Sequence, residues 1–227
     1  MRRITLICVL LAGVLVAAFV WRSHLSGQDS ETPVTVEKQP IVFANRTFDP
    51  LNPPTDMPPL SPGDEAECDS NFICNASVRG ETQKTDATHA VVTIKQIKVT
   101  LQLNVTIWAP GNATPKQLEH EGGHSQISQS YYQTADKLAR QIASERIGKQ
   151  IEITGTDLNA EANKALQQAA ADINAEYNRQ LDPGPTQQYY DTMTDHGRNG
   201  IIVKDGVAAA LRDNGMTPTQ PAANPGN

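Results

Sequence analysis

Residues 90–107 read AVVTIKQIKVTLQLNVTI, and this stretch decides the fold. Apolar side chains occupy every second position, first over residues 90–94 and then, in the opposite phase, over residues 97–107. A period of two over this length is typical of strands that bury one face. The change of phase at residues 95–96 predicts either a β-bulge or a tight turn between two strands.

Two long helices are predicted after these strands. Thr114 and Pro115 make a helix start, and the helical pattern continues to Gly148, where a C-terminal cap belongs. A second helix is predicted from Asp157 to about Leu181, after a short strand at residues 150–154. The fold class predicted from these patterns is α+β, with an antiparallel sheet packed on two long helices. The inward face of the first helix carries His120, His124, Ile127, Tyr131, Leu138 and Ile142.

The first 25 residues have the pattern of an export signal. An uncharged apolar run of 18 residues extends from Ile4 to Trp21, with arginines at positions 2, 3 and 22 around it. A run of this length can cross a bilayer as a helix, and the arginines would keep the N-terminus in the cytoplasm. We favour an uncleaved signal-anchor, which contacts the membrane, over a cleaved signal peptide. Both interpretations place the domain in the periplasm or outside the cell.

Composition divides the rest of the chain into three parts. Residues 26–66 are rich in proline and predict a tether, in which the apolar triplet at residues 41–43 can pair as a strand. The folded domain is predicted at residues 67–212. Residues 213–227 are polar and predict a disordered tail. The net charge is −6, with no basic cluster, which argues against a nucleic-acid partner.

Cys68 and Cys74 stand in a polar stretch before the predicted strands. In an oxidising compartment they are expected to form a small-loop disulfide. The alternative is a pair of unrelated free thiols.

The sequence His120-Glu121-Gly122-Gly123-His124 lies inside the first predicted helix. Residues four apart lie one above the other on a helix, so two imidazoles can bind one zinc ion. Glu121 is one step around the helix and can act as general base on a zinc-activated water. The two glycines are unfavourable in a helix, which suggests close approach of another group beside the metal.

Zinc needs a third protein ligand, and several residues could supply it. His196 is favoured, with Glu145, Glu161 and Glu176 as the alternatives. Asp191 and Asp195 stand near His196 and could accept its second ring N–H.

Tyr190 or its neighbour Tyr189 could donate a hydrogen bond to the developing oxyanion. The alternative is that both rings pack in the core.

The segments Leu118–His124 and Tyr190–Gly197 resemble those of a bacterial family of uncharacterised secreted proteins that are predicted to be zinc-dependent proteases. The similarity extends from about residue 91 to residue 200. It implies that His196 is the third zinc ligand and that the protein works in the periplasm or at the cell surface.

Together these patterns predict an exported zinc metallopeptidase with a zincin-like fold. His120, His124 and His196 would bind zinc, and a peptide or protein of the cell envelope would be the substrate. One alternative is a zinc-stabilised envelope protein that binds partners without catalysis, with four protein ligands around the metal. Another is an amidase that acts on cell-wall peptides.

Overall fold

The structure is a computed structural model that describes residues 32–61 and 63–216. The predicted signal-anchor and residues 217–227 of the predicted tail lie outside the described residues. Among the described helices, none is long and apolar enough to span a bilayer. The elements in chain order are β1 Val34–Lys38, β2 Val42–Phe48, β3 Glu67–Lys84, β4 His89–Pro110, α1 Pro115–Ser144, β5 Gln150–Thr154, α2 Leu158–Gln180, α3 Gly184–Thr194 and α4 Val203–Asp213.

Strand β4 pairs with every other strand of the sheet. Its full length runs antiparallel to β3 on one edge. On the other edge it pairs in succession with β5 at residues 89–93, with β1 at residues 97–101 and with β2 at residues 104–110. Strand β5 is antiparallel to β4, whereas β1 and β2 are parallel to it. The sheet is therefore mixed and five-stranded.

The α+β class is confirmed, but the prediction of an antiparallel sheet is wrong. The two parallel strands lie at residues 34–48, inside the stretch that was predicted to be a tether. Strand β2 includes two residues of the apolar triplet that was predicted to pair as a strand, whereas β1 was not predicted. Their sequences bury little: in β1 only Val34 is fully buried, and in β2 only Phe48. Both strands are held by pairing with β4, and each has too few apolar residues for a period of two to define its bounds.

The phase change in β4 is a β-bulge. The pairing with β3 passes from Arg79 opposite Gln96 to Gly80 opposite Ile94, which leaves Lys95 as the extra residue. The extra residue compensates for the change of phase, so the apolar side chains before and after the bulge lie on the same buried face. The bulge prediction is confirmed, and the alternative of a tight turn is wrong because β4 is continuous.

Helix α1 begins as predicted and ends four residues before Gly148. Thr114 accepts a hydrogen bond from the Gln117 backbone at 3.2 Å, and the Gln117 side chain accepts from the Thr114 backbone at 2.7 Å. This capping box satisfies two backbone donors of the first turn. Gly148 adopts a positive φ of 78° in the connection to β5. Helix α2 matches its prediction, with Asp157 as N-cap.

The core joins one face of β4 to the C-terminal half of α1 and to α2. Tyr132 of α1 fixes this packing, since its hydroxyl donates to the carbonyls of Gln39 at 2.8 Å and of Leu101 at 2.9 Å. A second apolar cluster covers the N-terminal half of α1, where α3 and α4 pack. The fully buried members of the main cluster include Ile97, Val99, Leu101, Leu103, Ala135, Ile173 and Tyr177.

The predicted disulfide is wrong. Cys68 and Cys74 are both free thiols, and both belong to β3. At a rise of about 3.3 Å per residue, their Cα atoms are about 20 Å apart along one strand, whereas a disulfide needs about 7 Å or less. Burial raises the pKa of the Cys74 thiol to about 11 and that of Cys68 still further, so thiolate is scarce at neutral pH.

Alkylation tests the state of these thiols. Trypsin releases both cysteines in one peptide, residues 47–79. After unfolding without reductant and treatment with iodoacetamide, this peptide should carry two carbamidomethyl groups, because no bond links its sulfurs. In the folded protein the same reagent should modify it far more slowly. A peptide that takes up the reagent only after a reductant is added contradicts the assignment of free thiols. Mass spectrometry distinguishes the two results.

Candidate metal centre

Helix α1 places His120 and His124 side by side, as their spacing predicts. Their rings meet edge to face with centroids 4.8 Å apart, and the two Nε2 atoms are 3.2 Å apart. The residues are only 3% and 9% exposed, respectively. Two buried imidazole nitrogens that face each other need a shared hydrogen-bond partner or a cation between them.

Asp191 of α3 completes this arrangement. Its Oδ1 atom lies 3.2 Å from His120 Nε2 and 2.7 Å from His124 Nε2. Two ligand atoms that each lie about 2.1 Å from a tetrahedral zinc ion are about 3.4 Å apart, so the triangle is close to the size that zinc needs. We call these three residues the His-His-Asp triangle. Burial alone would raise the pKa of Asp191, but the hydrogen bonds with the two histidines hold it below its ordinary value.

Gln187, one helical turn before Asp191, fixes the ring of His124. Its Oε1 atom is 2.6 Å from His124 Nδ1, while its Nε2 donates to the carbonyl of His124 at 3.1 Å and to Ser128 Oγ at 3.0 Å. Since the amide nitrogen has two acceptors, the amide oxygen faces His124 and Nδ1 must be the donor. The lone pair of Nε2 is then available to a metal.

A cation in the triangle would displace a proton. Burial would lower the pKa of His124, but the hydrogen bond and charge of Asp191, together with the charge of Glu121, raise it to about 9. At neutral pH without metal the ring is therefore protonated on both nitrogens, and the Nε2 proton faces Asp191. Metal binding at such a site releases this proton.

Glu121 lies beside the triangle and is not part of it. The residue is 4% exposed, and burial raises the pKa of its carboxyl group to about 7. The charge of His124 opposes this shift, and the charges of Asp64, Glu67 and Asp191 add to it. A carboxyl group that titrates near neutral pH can both take up and release a proton there.

Two cavities meet at Glu121. One has a volume of about 340 Å³ and includes His196 in its lining, and the other has about 390 Å³ and includes Asp191. Asp64 and Glu121 line both cavities. The triangle is therefore open to a space that could hold a small part of a substrate.

The structure brings Asp191, and not His196, to the two imidazoles. Helix α3 ends at Thr194, and the next two residues adopt left-handed backbone angles, so His196 lies beyond the helix end while Asp191 stays on its inner face. His196 Nδ1 instead contacts Asp64 Oδ1 at 2.7 Å. Asp191, predicted to support a histidine ligand, thus holds the position predicted for the third ligand. None of the three glutamates considered as alternatives belongs to a described ligand cluster.

Asp195 faces solvent. Its carboxylate pairs with Arg198 at 3.1 Å, and its side chain is 61% exposed. The predicted support of a ligand by Asp195 is therefore not what the structure shows.

Tyr190 packs against the two imidazoles. Its ring stacks on His120 with centroids 5.0 Å apart and meets His124 edge-on at the same distance. Its hydroxyl is buried without a hydrogen-bond partner among the described residues. This placement agrees with the packing alternative, and the neighbouring Tyr189 donates to Asp213 at 2.8 Å instead.

Only one of the two motif glycines is needed for close approach. A Cβ atom on Gly123 would lie 2.2 Å from the Tyr190 hydroxyl oxygen, whereas one on Gly122 would have no neighbour within 4 Å. Gly197 allows a similar approach, because a Cβ there would lie 2.8 Å from His120 Cβ. These contacts bring α3 and its following loop directly onto the motif.

Sequence reasoning missed Gln187 and Asp64. The sequence could have indicated Gln187, because this residue stands four positions before Asp191 and therefore shares its helix face. No sequence pattern indicates Asp64, since this residue lies in the loop before β3 and reaches the site only through tertiary packing.

A scan of protein-family models matches no family to this chain, and searches of curated proteins and of solved structures likewise return no match. The resemblance to predicted zinc-dependent proteases stays a prediction.

If the triangle binds a divalent cation, Gln187→Ala should weaken the affinity for Zn²⁺, used as the probe, by roughly 10–100-fold, because His124 loses the contact that fixes its tautomer and ring orientation. The matched control is Gln188→Ala, an exposed position on the same helix, which should bind zinc like the wild type. Competition with a chromophoric zinc chelator measures both affinities. Equal affinities for the two variants contradict the orienting role of Gln187.

The two motif glycines should respond oppositely to alanine. Gly123→Ala should destabilise the fold by about 1–3 kcal/mol, because the added methyl group overlaps Tyr190. Gly122→Ala should stabilise it by up to about 1 kcal/mol, because alanine favours the helix and the added methyl meets open space. Urea unfolding followed by circular dichroism measures both changes, and a Gly123→Ala variant as stable as the wild type contradicts the close approach.

Proposed function

We propose that this chain is an exported zinc-dependent peptidase. The proposal is supported above all by one observation: the His-His-Asp triangle lies beside a buried glutamate that is not part of it. A metal site that only stabilises a fold has no use for a separate proton acceptor next to the ligands. A hydrolytic zinc site needs one.

His120, His124 and Asp191 are the proposed zinc ligands, in place of the set with His196. Two imidazole nitrogens and a carboxylate oxygen are donors that zinc accepts at hydrolytic sites. When bound, zinc supplies Lewis acidity, which polarises a carbonyl and lowers the pKa of a coordinated water to about 7. Gln187 keeps the ligating nitrogen of His124 directed at the ion.

Glu121 is the proposed general base. Its carboxylate takes the proton of the attacking water and delivers it to the leaving amine, which is the role that the H-E-x-x-H spacing favours. Burial in the walls of two cavities limits its contact with bulk water. The same burial keeps its proton affinity in the range that both transfers require.

The non-catalytic alternative requires a closed site with four protein ligands. Among the described residues, the ligand group around the two imidazoles has three members, so a zinc ion held by them would keep a position for water. This count favours catalysis. The zincin-like arrangement, with the motif helix packed under a sheet, is part of the same proposal, as is export by the N-terminal apolar run.

The Glu121→Gln variant should retain zinc. Its rate of hydrolysis of a fluorescently labelled casein should fall by about 10²–10⁴-fold, because an amide cannot accept the proton. The matched control is Glu119→Gln, which changes an exposed carboxylate two residues away and should leave the rate unchanged. Metal content and rate are measured on the same samples. A Glu121→Gln variant that binds as much zinc as the wild type and hydrolyses casein at the wild-type rate contradicts the mechanism.

A further inference from the structure

A second group of potential ligands adjoins the His-His-Asp triangle. Asp64, Asp191 and His196 each offer a ligand atom, and these atoms all lie within 4.8 Å of one another. Asp191 belongs to both groups. A carboxylate has two oxygens and can bind two cations at once, so the shared residue is of the type that bridges metal ions.

The backbone around His196 is held in an unfavourable conformation. Asp195 and His196 have φ values of 51° and 50°, and Gly197 follows with 74°. Non-glycine residues adopt this region uncommonly, and they keep it where the surroundings enforce it, often at functional sites. Here the enforcing contacts include the bond of the His196 amide to the Asp191 carbonyl at 3.0 Å and the contact of Asp64 with the ring.

Three carboxyl groups converge on the site from separate parts of the chain. Asp64, Glu121 and Asp191 are largely buried, and the side chain of Asp64 is only 8% exposed. Among the described residues, the ion-pair contacts of Asp64 and Asp191 within 4.0 Å are to histidine, and Arg198 interacts with Asp64 only at longer range. Buried carboxylates that converge in this way repel one another, and a bound cation relieves this cost.

We propose that Asp64, Asp191 and His196 form a second divalent-cation site, joined to the His-His-Asp triangle through Asp191 as a bridging carboxylate. This inference rests on the proposed function for the first ion. In the second site a cation would lie between His196 and Asp64 and replace their direct contact. The mixed oxygen and nitrogen donors suit Zn²⁺ or Mn²⁺, and paired ions about 3.5–4 Å apart are used by two-metal hydrolases.

Metal stoichiometry tests the second site. The untagged full chain is stripped with a chelator, titrated with Zn²⁺ alone, and its bound metal counted by plasma mass spectrometry. The wild type should bind two ions per chain, and Asp64→Asn and His196→Asn should each bind one. Asparagine is chosen because it tolerates the left-handed backbone at position 196.

The chain offers a matched control pair. His89 Nδ1 contacts Asp86 Oδ1 at 2.9 Å, the same kind of contact as between His196 and Asp64, but in an exposed hairpin outside any described ligand cluster. Asp86→Asn and His89→Asn should therefore keep two ions. Circular dichroism confirms that each variant is folded.

Two results overturn the second site: a wild type that binds a single ion, or Asp64→Asn and His196→Asn variants that still bind two. A measurement on the wild type covers the case in which a variant does not fold. Two Co²⁺ ions bridged by Asp191 should be magnetically coupled and give a weaker paramagnetic resonance signal per ion than the first equivalent alone. Uncoupled ions overturn the bridge.

The two proposals fail differently. If the protein binds a single ion and still hydrolyses peptides, only the proposal of a second site is contradicted. If the protein binds two ions but hydrolyses none of the tested peptides, the proposal of a peptidase is contradicted and that of the paired metal site is supported.

Discussion

The contact between Asp191 and the two imidazoles of α1 is the interaction on which the site depends. It joins two helices that are far apart in the chain, and it brings three ligand atoms to within 3.2 Å of one another. The rest of the fold prepares this contact. Tyr132 fixes the C-terminal half of α1 to the sheet, and the cluster around Ile127 fixes its N-terminal half to α3 and α4.

The close approach of α3 to α1 is possible because small residues stand at the contact. Gly123 leaves room for the ring of Tyr190, and Gly197 leaves room for His120. Tyr190 in turn covers both imidazoles and keeps water from their buried faces. In such a low-dielectric setting the partner of each nitrogen determines its protonation, which is why Gln187 and Asp191 matter as much as the histidines themselves.

Charge is distributed unevenly around this contact. Asp64 reaches the site from the loop before β3, so carboxylates come from three separate parts of the chain. Their mutual repulsion contributes to the raised pKa of Glu121, and it favours cations in the space between them. The potential to bind a divalent metal thus arises from the whole site and is not confined to the H-E-x-x-H helix.

The sequence alone determined the elements whose side chains repeat with a regular period. It predicted the alternation in β4 with its bulge at Lys95, both long helices, and the pairing of His120 with His124, because these follow from neighbours within a few residues. Tertiary structure decided the rest. The parallel strands β1 and β2 bury too few side chains for the sequence to define their bounds or partners, and the approach of Asp191, rather than His196, to the two imidazoles depends on where α3 ends. Asp64 meets His196 across 132 positions of sequence, and no local rule spans such a distance.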